Sequence, residues 1–380
     1  MSRALHVPVT LPLPLGQWVG AGPHPAPRFP FDGARVNFYF LARNAIWHGA
    51  DALGLKAGDE VLMPSYHHGV ELQCLLAKGM TLRFYRIDER MQADLEDVRA
   101  NIRPQTRALY VTHYLGIPQP IGPLREIAAG AGIPLIEDCA LSLFSRNDDG
   151  PLGSFGDIGI FCLYKSLPVP HGGTLVLNRS DLRMPPDPRP PDRVTTSSYI
   201  LNRLLDAGVL SRFSLRRVAS EAIRSLARAA KHAAGTSVVP IDTEDFDVSI
   251  MDVGVRDVTR RIVGHTDADE TVARRRANYF RLAERLDPGV RTIFPSLPSG
   301  ACPLSYPILV REKVAVAERL MSEGVETVNM WSRHHPASPR GSFPEIDFLR
   351  DHVLELPIHQ GLRFDHVDYV AEKASVLARW

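Results

Sequence analysis

Cysteine, net charge and long apolar runs are all scarce in this chain, and each absence narrows what it can be. Four cysteines occur in 380 residues, Cys74, Cys139, Cys162 and Cys302, far apart and with no CxxC pair. Neither a disulfide framework nor a zinc site is expected; reduced thiols in a cytoplasmic protein are. Basic and acidic residues (44 and 43) nearly cancel to a formal charge of +1, which points away from nucleic acid as a partner. No apolar segment reaches the roughly 18 residues of a membrane span. The N-terminus has no charged leader followed by an apolar stretch, so no signal peptide is expected. His334 and His335 invite a metal reading, but no carboxylate or third histidine stands at ligand spacing beside them. No metal site is expected.

What the chain does have is alternation. Short apolar runs at 61–65, 81–85, 108–112, 135–138 and 157–163 read as strands. Helical patterns lie between or before them at 40–53, 70–78, 95–102 and 123–130. Strand, helix, strand at this spacing predicts an α/β domain with a mostly parallel sheet flanked by helices. Length allows a second domain. The expected division is a proline-rich extended arm over 1–33, a large domain over 34–255 and a smaller α+β domain over 256–380. In the last, strands are expected at 307–310 and 354–357, with helices at 273–286, 314–323 and 365–377. Composition shifts after Asn178, and 180–248 reads as a divergent insert. It opens on Met184-Pro-Pro-Asp-Pro-Arg-Pro-Pro191, which forms neither helix nor inner strand. Its 201–234 stretch has helical spacing with a basic face, read as one or two solvated surface helices, with a basic surface guarding an anionic substrate or membrane headgroups as the alternative.

The chemistry sits at strand ends. Lys165 follows the run Asp157-Ile-Gly-Ile-Phe-Cys-Leu163 and precedes the turn His171-Gly172-Gly173, which leads into another strand. Asp138 closes Ile133-Pro-Leu-Ile-Glu-Asp138. A lysine and an aspartate, each at the carboxyl end of a buried strand, are what pyridoxal 5'-phosphate chemistry requires. The amine holds the cofactor aldehyde as a Schiff base, and the carboxylate keeps the pyridine nitrogen protonated.

Five segments then fall into one pattern: Gly58-Asp-Glu-Val-Leu-Met-Pro-Ser65, Ile133-Pro-Leu-Ile-Glu-Asp-Cys-Ala140, Gly153-Ser-Phe-Gly-Asp-Ile-Gly159, Lys165 with Gly172-Gly173, and Leu356-Pro-Ile-His359 with Gly361-Leu362. In this order they resemble the DegT/DnrJ/EryC1/StrS (sugar) aminotransferases, pyridoxal phosphate enzymes with the aspartate aminotransferase type of fold. The resemblance covers 34–178 closely and 250–380 more loosely. It implies Lys165 as the Schiff-base lysine, Asp138 beneath the pyridine nitrogen, and His68 stacked on the cofactor ring, or His67 if the register slips by one. It also implies that Arg43 and Asn44 stand at the phosphate turn, that Cys162 replaces a phosphate-binding serine, and that Leu141 replaces a glutamine facing the ring hydroxyl. The segment before Lys165 is two residues shorter than the family pattern. His113, Tyr164 and His359 are further candidates for the cofactor or substrate, and 331–335 is either a substrate contact or a surface loop.

The resemblance therefore implies transfer of an amino group from glutamate or glutamine to a sugar-nucleotide or natural-product carbonyl. Another reaction of the same cofactor (dehydration, decarboxylation or substitution) and a non-catalytic partner of an active paralogue remain as alternatives. It further implies a homodimer with shared active sites. The N-terminal arm, too poor in apolar residues to form its own core, is expected to be ordered against the second subunit.

Overall fold

The computed structural model of the chain describes residues 5–12, 24–33, 35–191 and 246–380. The helical stretch 201–234 and most of the 180–248 insert lie outside the described residues. Seven strands form the larger sheet: β1 (Val36–Tyr39), β2 (Glu60–Pro64), β3 (Thr81–Tyr85), β4 (Thr106–Thr112), β5 (Leu135–Asp138), β6 (Ile158–Cys162) and β7 (Gly173–Leu177). They are ordered β1-β7-β6-β5-β4-β2-β3. β2 to β6 run parallel, and β7 is antiparallel to both β6 and β1. This is the expected α/β arrangement with a mostly parallel sheet.

Strand parity explains why the central strands read as continuous apolar runs. On one face, Val61, Met63, Ala108, Tyr110, Ile136 and Ile158 pack with residues of α1 (Ala42–Ala52) and α2 (Val70–Ala77). On the other, Leu62, Leu109, Val111 and Leu135 pack with Val98 of α3 (Leu95–Asn101) and Leu124 of α4 (Ile121–Gly130). A sheet covered on both faces must be apolar at successive positions. The polar residues that end these strands are therefore the exceptions that need explaining.

The second sheet is antiparallel: β8 (Arg291–Thr292), β9 (Tyr306–Leu309), β10 (Val328–Asn329) and β11 (Val353–Leu356), ordered β10-β11-β9-β8. Together with α7 (Ala268–Arg285), α8 (Lys313–Ser322) and α10 (Phe364–Leu377) it encloses a separate core around Leu282, Ile308, Leu320, Leu354 and Val370. Three shorter α-helices complete the described residues, α5 (Leu163–Ser166), α6 (Asp257–Gly264) and α9 (Pro344–His352). The N-terminal segment docks on its own chain, since Val7 bridges Val325 and the Val9 amide donates to Glu326 at 3.1 Å. Within 5–12, then, the arm is held by its own chain, beside the core of the second sheet. No helix among the described residues is long and apolar enough to cross a membrane.

Candidate active site

At the carboxyl ends of the parallel strands the sheet opens into a cavity, the usual ligand crevice of such folds. Thr112 reaches it from the end of β4, Asp138 from β5 and Cys162 from β6. His68 enters from the loop after β2, and Glu71 from the first turn of α2. Lys165 and Tyr164 come from the single turn of α5, Ala42 and Arg43 from the start of α1, and Trp331 from the loop after β10. An amine and two carboxylates thus face one space.

Two glycines make this geometry possible. A Cβ on Gly173 would lie 2.3 Å from the Leu41 carbonyl carbon and 2.4 Å from the Ala42 nitrogen, so only glycine lets β7 approach the start of α1. Gly69, at φ 113, turns the chain from His68 directly into α2. Leu41, the residue before α1, caps it with no side-chain hydrogen bond, so the helix meets the cavity with its positive end.

Asp138 is held from both sides. Its Oδ2 accepts the Tyr110 hydroxyl at 2.7 Å and its Oδ1 accepts the Ala140 amide at 2.8 Å. Burial still pushes the carboxyl above its usual range against these donors. A buried acid in that state is ready for a cation. Thr112, in register with Asp138, has its hydroxyl buried with no hydrogen-bond partner among the described residues. Glu71 Oε1 accepts the His68 amide at 2.9 Å and Oε2 the Gly69 amide at 3.2 Å, satisfying two donors that the helix start leaves open. Burial, with Asp138 nearby, raises its carboxyl as well.

The remaining candidates separate by where their side chains go. His68 lines the cavity with its ring 6.2 Å from that of Trp331, while His67 is turned away, buried against Phe84 and His335. Asn44 does not line the cavity. Its amide group donates to the Ile250 and Met251 carbonyls at 2.6 and 3.0 Å, and its backbone N–H is taken by Leu41. His113 is at a strand end but on the opposite face from Asp138, because it directly follows Thr112, the residue in register with Asp138. Its Nδ1 accepts the Gln119 amide at 3.0 Å, so Nε2 carries the proton and donates to Glu137 at 3.0 Å. Glu137 also accepts the amides of Gly153, Phe155 and Gly156. His113, Glu137 and Cys139 lie close enough to suggest a metal cluster. The histidine's two nitrogens and the carboxylate's bonds to backbone are already committed, which leaves no ligand set. His359 accepts the Gly361 amide and bonds the Pro8 carbonyl at 2.9 Å, so it secures the N-terminal segment and does not line the cavity.

Sequence reading missed Tyr110, Thr112 and Glu71. Period-two alternation back from Asp138's partner strand marks the first two; Glu71 looked like an ordinary first-turn acid. The loop 331–335 does supply Trp331 to the site, held by Arg350, whose guanidinium donates to the carbonyls of Trp331, Arg333 and His67.

Burial lowers His68 to about 3, His171 to about 3 and His359 to about 4. Each folded value lies below the ordinary one near 6.5, so the stability from keeping these rings neutral is complete above that pH. It is lost as pH falls towards the folded values. The midpoint of thermal unfolding should therefore be lower at pH 5 than at pH 7.5, and an unchanged midpoint would show that these rings are not buried neutral.

Fold and cavity together define an α/β protein of the class that brings an amine and a carboxylate to the strand ends. Residues 42–184 match the DegT/DnrJ/EryC1/StrS aminotransferase family. It is similar to GDP-perosamine synthase of Vibrio cholerae, 31% identical over 133 residues, which are 34% of this chain and 36% of that one. It is also similar to L-glutamine:2-deoxy-scyllo-inosose aminotransferase of Streptoalloteichus tenebrarius, 28% identical over 185 residues, 44% of this chain and 43% of that one. The matches thus span less than half the length of these curated relatives. Likeness of fold extends further. The solved aminotransferase TlmJ of Streptoalloteichus hindustanus superposes with a TM-score of 0.64 at 21% identity, covering 95% of this chain and 87% of that one.

Proposed function

We propose that the chain is a pyridoxal 5'-phosphate-dependent aminotransferase that passes an amino group from an amino acid, glutamate or glutamine, to the carbonyl of a sugar-nucleotide or natural-product intermediate. The observation that carries this is Lys165 and Asp138 on one cavity at the ends of β5 and β6. The residues present fit the cofactor. Among the described residues Asp138 is a buried acid with no ion pair, the Thr112 hydroxyl lacks a hydrogen-bond partner, and α1 offers its positive end beside Arg43 for a phosphate. Bound there, pyridoxal phosphate supplies an electron sink for the bond electrons at the donor's α-carbon.

Each other role belongs to the chain. Lys165 would anchor the cofactor, and its Nζ, once released, would take the proton from the donor's α-carbon and return it to the carbon on the far side of the transferred nitrogen. Asp138 would accept a hydrogen bond from the protonated ring nitrogen. His68, neutral because burial disfavours its charge, would pack on the ring face without competing as a cation. Arg43 and the first turn of α1 hold the phosphate, and Cys162 adds only a weak donor. Trp331 closes the wall opposite. The activities in the relatives' names, perosamine synthesis and amination of scyllo-inosose, support a sugar or cyclitol carbonyl as acceptor.

The test is an absorption spectrum of the purified protein carrying pyridoxal phosphate, with and without glutamate or glutamine. Loss of the visible band and growth of a near-ultraviolet band, with release of the matching keto acid, is expected. A spectrum that no amino donor changes would remove the transaminase reading.

Glu71→Ala should weaken cofactor binding about tenfold, because leaving the His68 and Gly69 amides unsatisfied costs about 1–3 kcal/mol and frees the turn that bears the ring-stacking histidine. Glu71→Gln, which keeps one acceptor oxygen, should lose less. Equal affinities across the three proteins by fluorescence titration would show that His68 is placed without Glu71.

A homodimer with its active sites at the subunit boundary belongs to the same reading. Leu141 and Cys162 leave the ring hydroxyl and phosphate few side-chain donors, which a second chain can supply, and a twofold dimer is the commonest closed assembly. Light scattering at micromolar concentration should give twice the mass of one chain. A monomer with full cofactor and turnover contradicts shared sites. Four free buried cysteines suit a cytoplasmic location.

A further inference from the structure

Lys165 stands on very little structure of its own. Its helix, α5, is a single turn of four residues, closed by the Leu167 amide donating to Leu163 at 2.8 Å. A one-turn helix is not self-supporting. The Ser166 carbonyl, on the residue next to the lysine, is instead gripped from the second domain. Gln360 Nε2 donates to it at 2.9 Å and Arg275 Nη2 at 3.3 Å. The two clamp residues are joined to each other, Arg275 Nε donating to Gln360 Oε1 at 2.7 Å. Arg275 Nη1 is spent on the carbonyls of Pro303 and Leu304 at 3.1 and 2.9 Å. Arg275 is 1% exposed and pairs with no carboxylate among the described residues. A buried guanidinium without a counter-ion is costly. Among the described residues every partner it has is a backbone carbonyl or Gln360, which is the pattern of a residue retained to fix backbone.

We propose that Arg275 and Gln360 are positioning residues for Lys165, clamping the lysine turn from the second domain by sharing the Ser166 carbonyl. The clamp rests on the reading of Lys165 as the cofactor-bearing residue. It ties the order of the lysine turn to the seating of α7 and of the loop between β11 and α10. With the carbonyl held, the amine presents to the cavity in one orientation; released, the turn samples several and the amine meets the cofactor less often.

Gln360→Glu separates positioning from general stability. It keeps an acceptor for Arg275 and gives that cation a counter-charge, so the fold is maintained, but it offers the Ser166 carbonyl no donor. Gln360→Leu removes both bonds, and Arg275→Lys keeps the charge while losing the fork. Two readouts are needed. The first is hydrogen exchange of the 163–167 amides in cofactor-free protein. The second is the rate at which cofactor-free protein captures pyridoxal phosphate, followed by the growth of its visible band. Gln360→Glu should melt no lower than the unsubstituted protein, yet exchange faster over 163–167 and capture cofactor about tenfold more slowly, the equivalent of one lost hydrogen bond. Gln360→Leu should show the same two changes, and Arg275→Lys intermediate ones. Unchanged exchange and capture in Gln360→Glu overturn the clamp. Slower capture that only tracks a lowered melting point in every variant overturns it too, in favour of a merely structural role. Unsubstituted protein that takes no reductively trapped label at Lys165 defeats the underlying reading instead, and the exchange data then judge the clamp alone.

Discussion

Replacing Lys165 by alanine should cost the protein on the order of 10⁴-fold or more in amino transfer, with the fold kept. Lys165 is asked both to anchor the cofactor and to carry the proton, and positioned proton transfer by itself supplies about 10²–10⁴-fold. No other described lysine stands at the cavity. Lys78 is paired with Asp51 at 2.5 Å and lies over the Trp47 ring, Lys313 is bonded to the Met330 and Arg350 carbonyls, and Lys56 is on the surface. Borohydride treatment of the protein carrying pyridoxal phosphate, followed by peptide mapping, should place the pyridoxyl group on Lys165 and leave the alanine variant unlabelled. A label on Lys56, Lys78 or Lys231 would move the anchor elsewhere. The side chain is exposed to the cavity rather than buried in a core, so its removal should hardly change the melting temperature.

Asp138→Asn is the second large effect. The amide keeps the shape and a carbonyl oxygen for Tyr110 or Ala140, but it loses the charge that holds a proton on the ring nitrogen. Removing one member of a buried ion pair costs about 3–5 kcal/mol, roughly two to nearly four powers of ten in rate if all of it is felt in the transition state. The tyrosine cannot substitute, since burial and the neighbouring carboxylates hold its hydroxyl well above its ordinary range and so keep it a donor. Turnover should fall by that amount while cofactor remains attached to Lys165. A near-normal rate would mean that another acid, with Glu71 the first to test, serves the nitrogen.

Much of the scaffold was legible before any coordinates. The runs at 81–85 and 135–138 are strands over those residues, and the helices expected at 70–78 and 95–102 end one residue earlier. These elements declare themselves because a strand buried on both faces must be apolar throughout, and because Gly69 and Asp94 mark where helices begin. The edge strand β1 and the helices α6 and α9 were not anticipated. Short segments whose burial depends on distant partners carry no local period strong enough to find them.

For the site, sequence alone placed Lys165 and Asp138 at strand ends and so named the chemistry. It could not choose faces. His113 and Asp138 both end strands, yet a single residue of parity sends one to the Glu137 side and the other to the cavity. His67 and His68 are adjacent, and only the left-handed turn at Gly69 together with Glu71 decides which ring enters. Of the three arginines at 274–276, no local pattern says which is buried, but the packing of α7 buries Arg275 alone. Residue type and local period thus determine which elements form and which reactive groups the chain possesses. Which of those groups meet is decided by the tertiary structure, because contacts between Arg275 and Ser166, or Arg350 and His67, span more than a hundred residues and leave no trace in any local pattern.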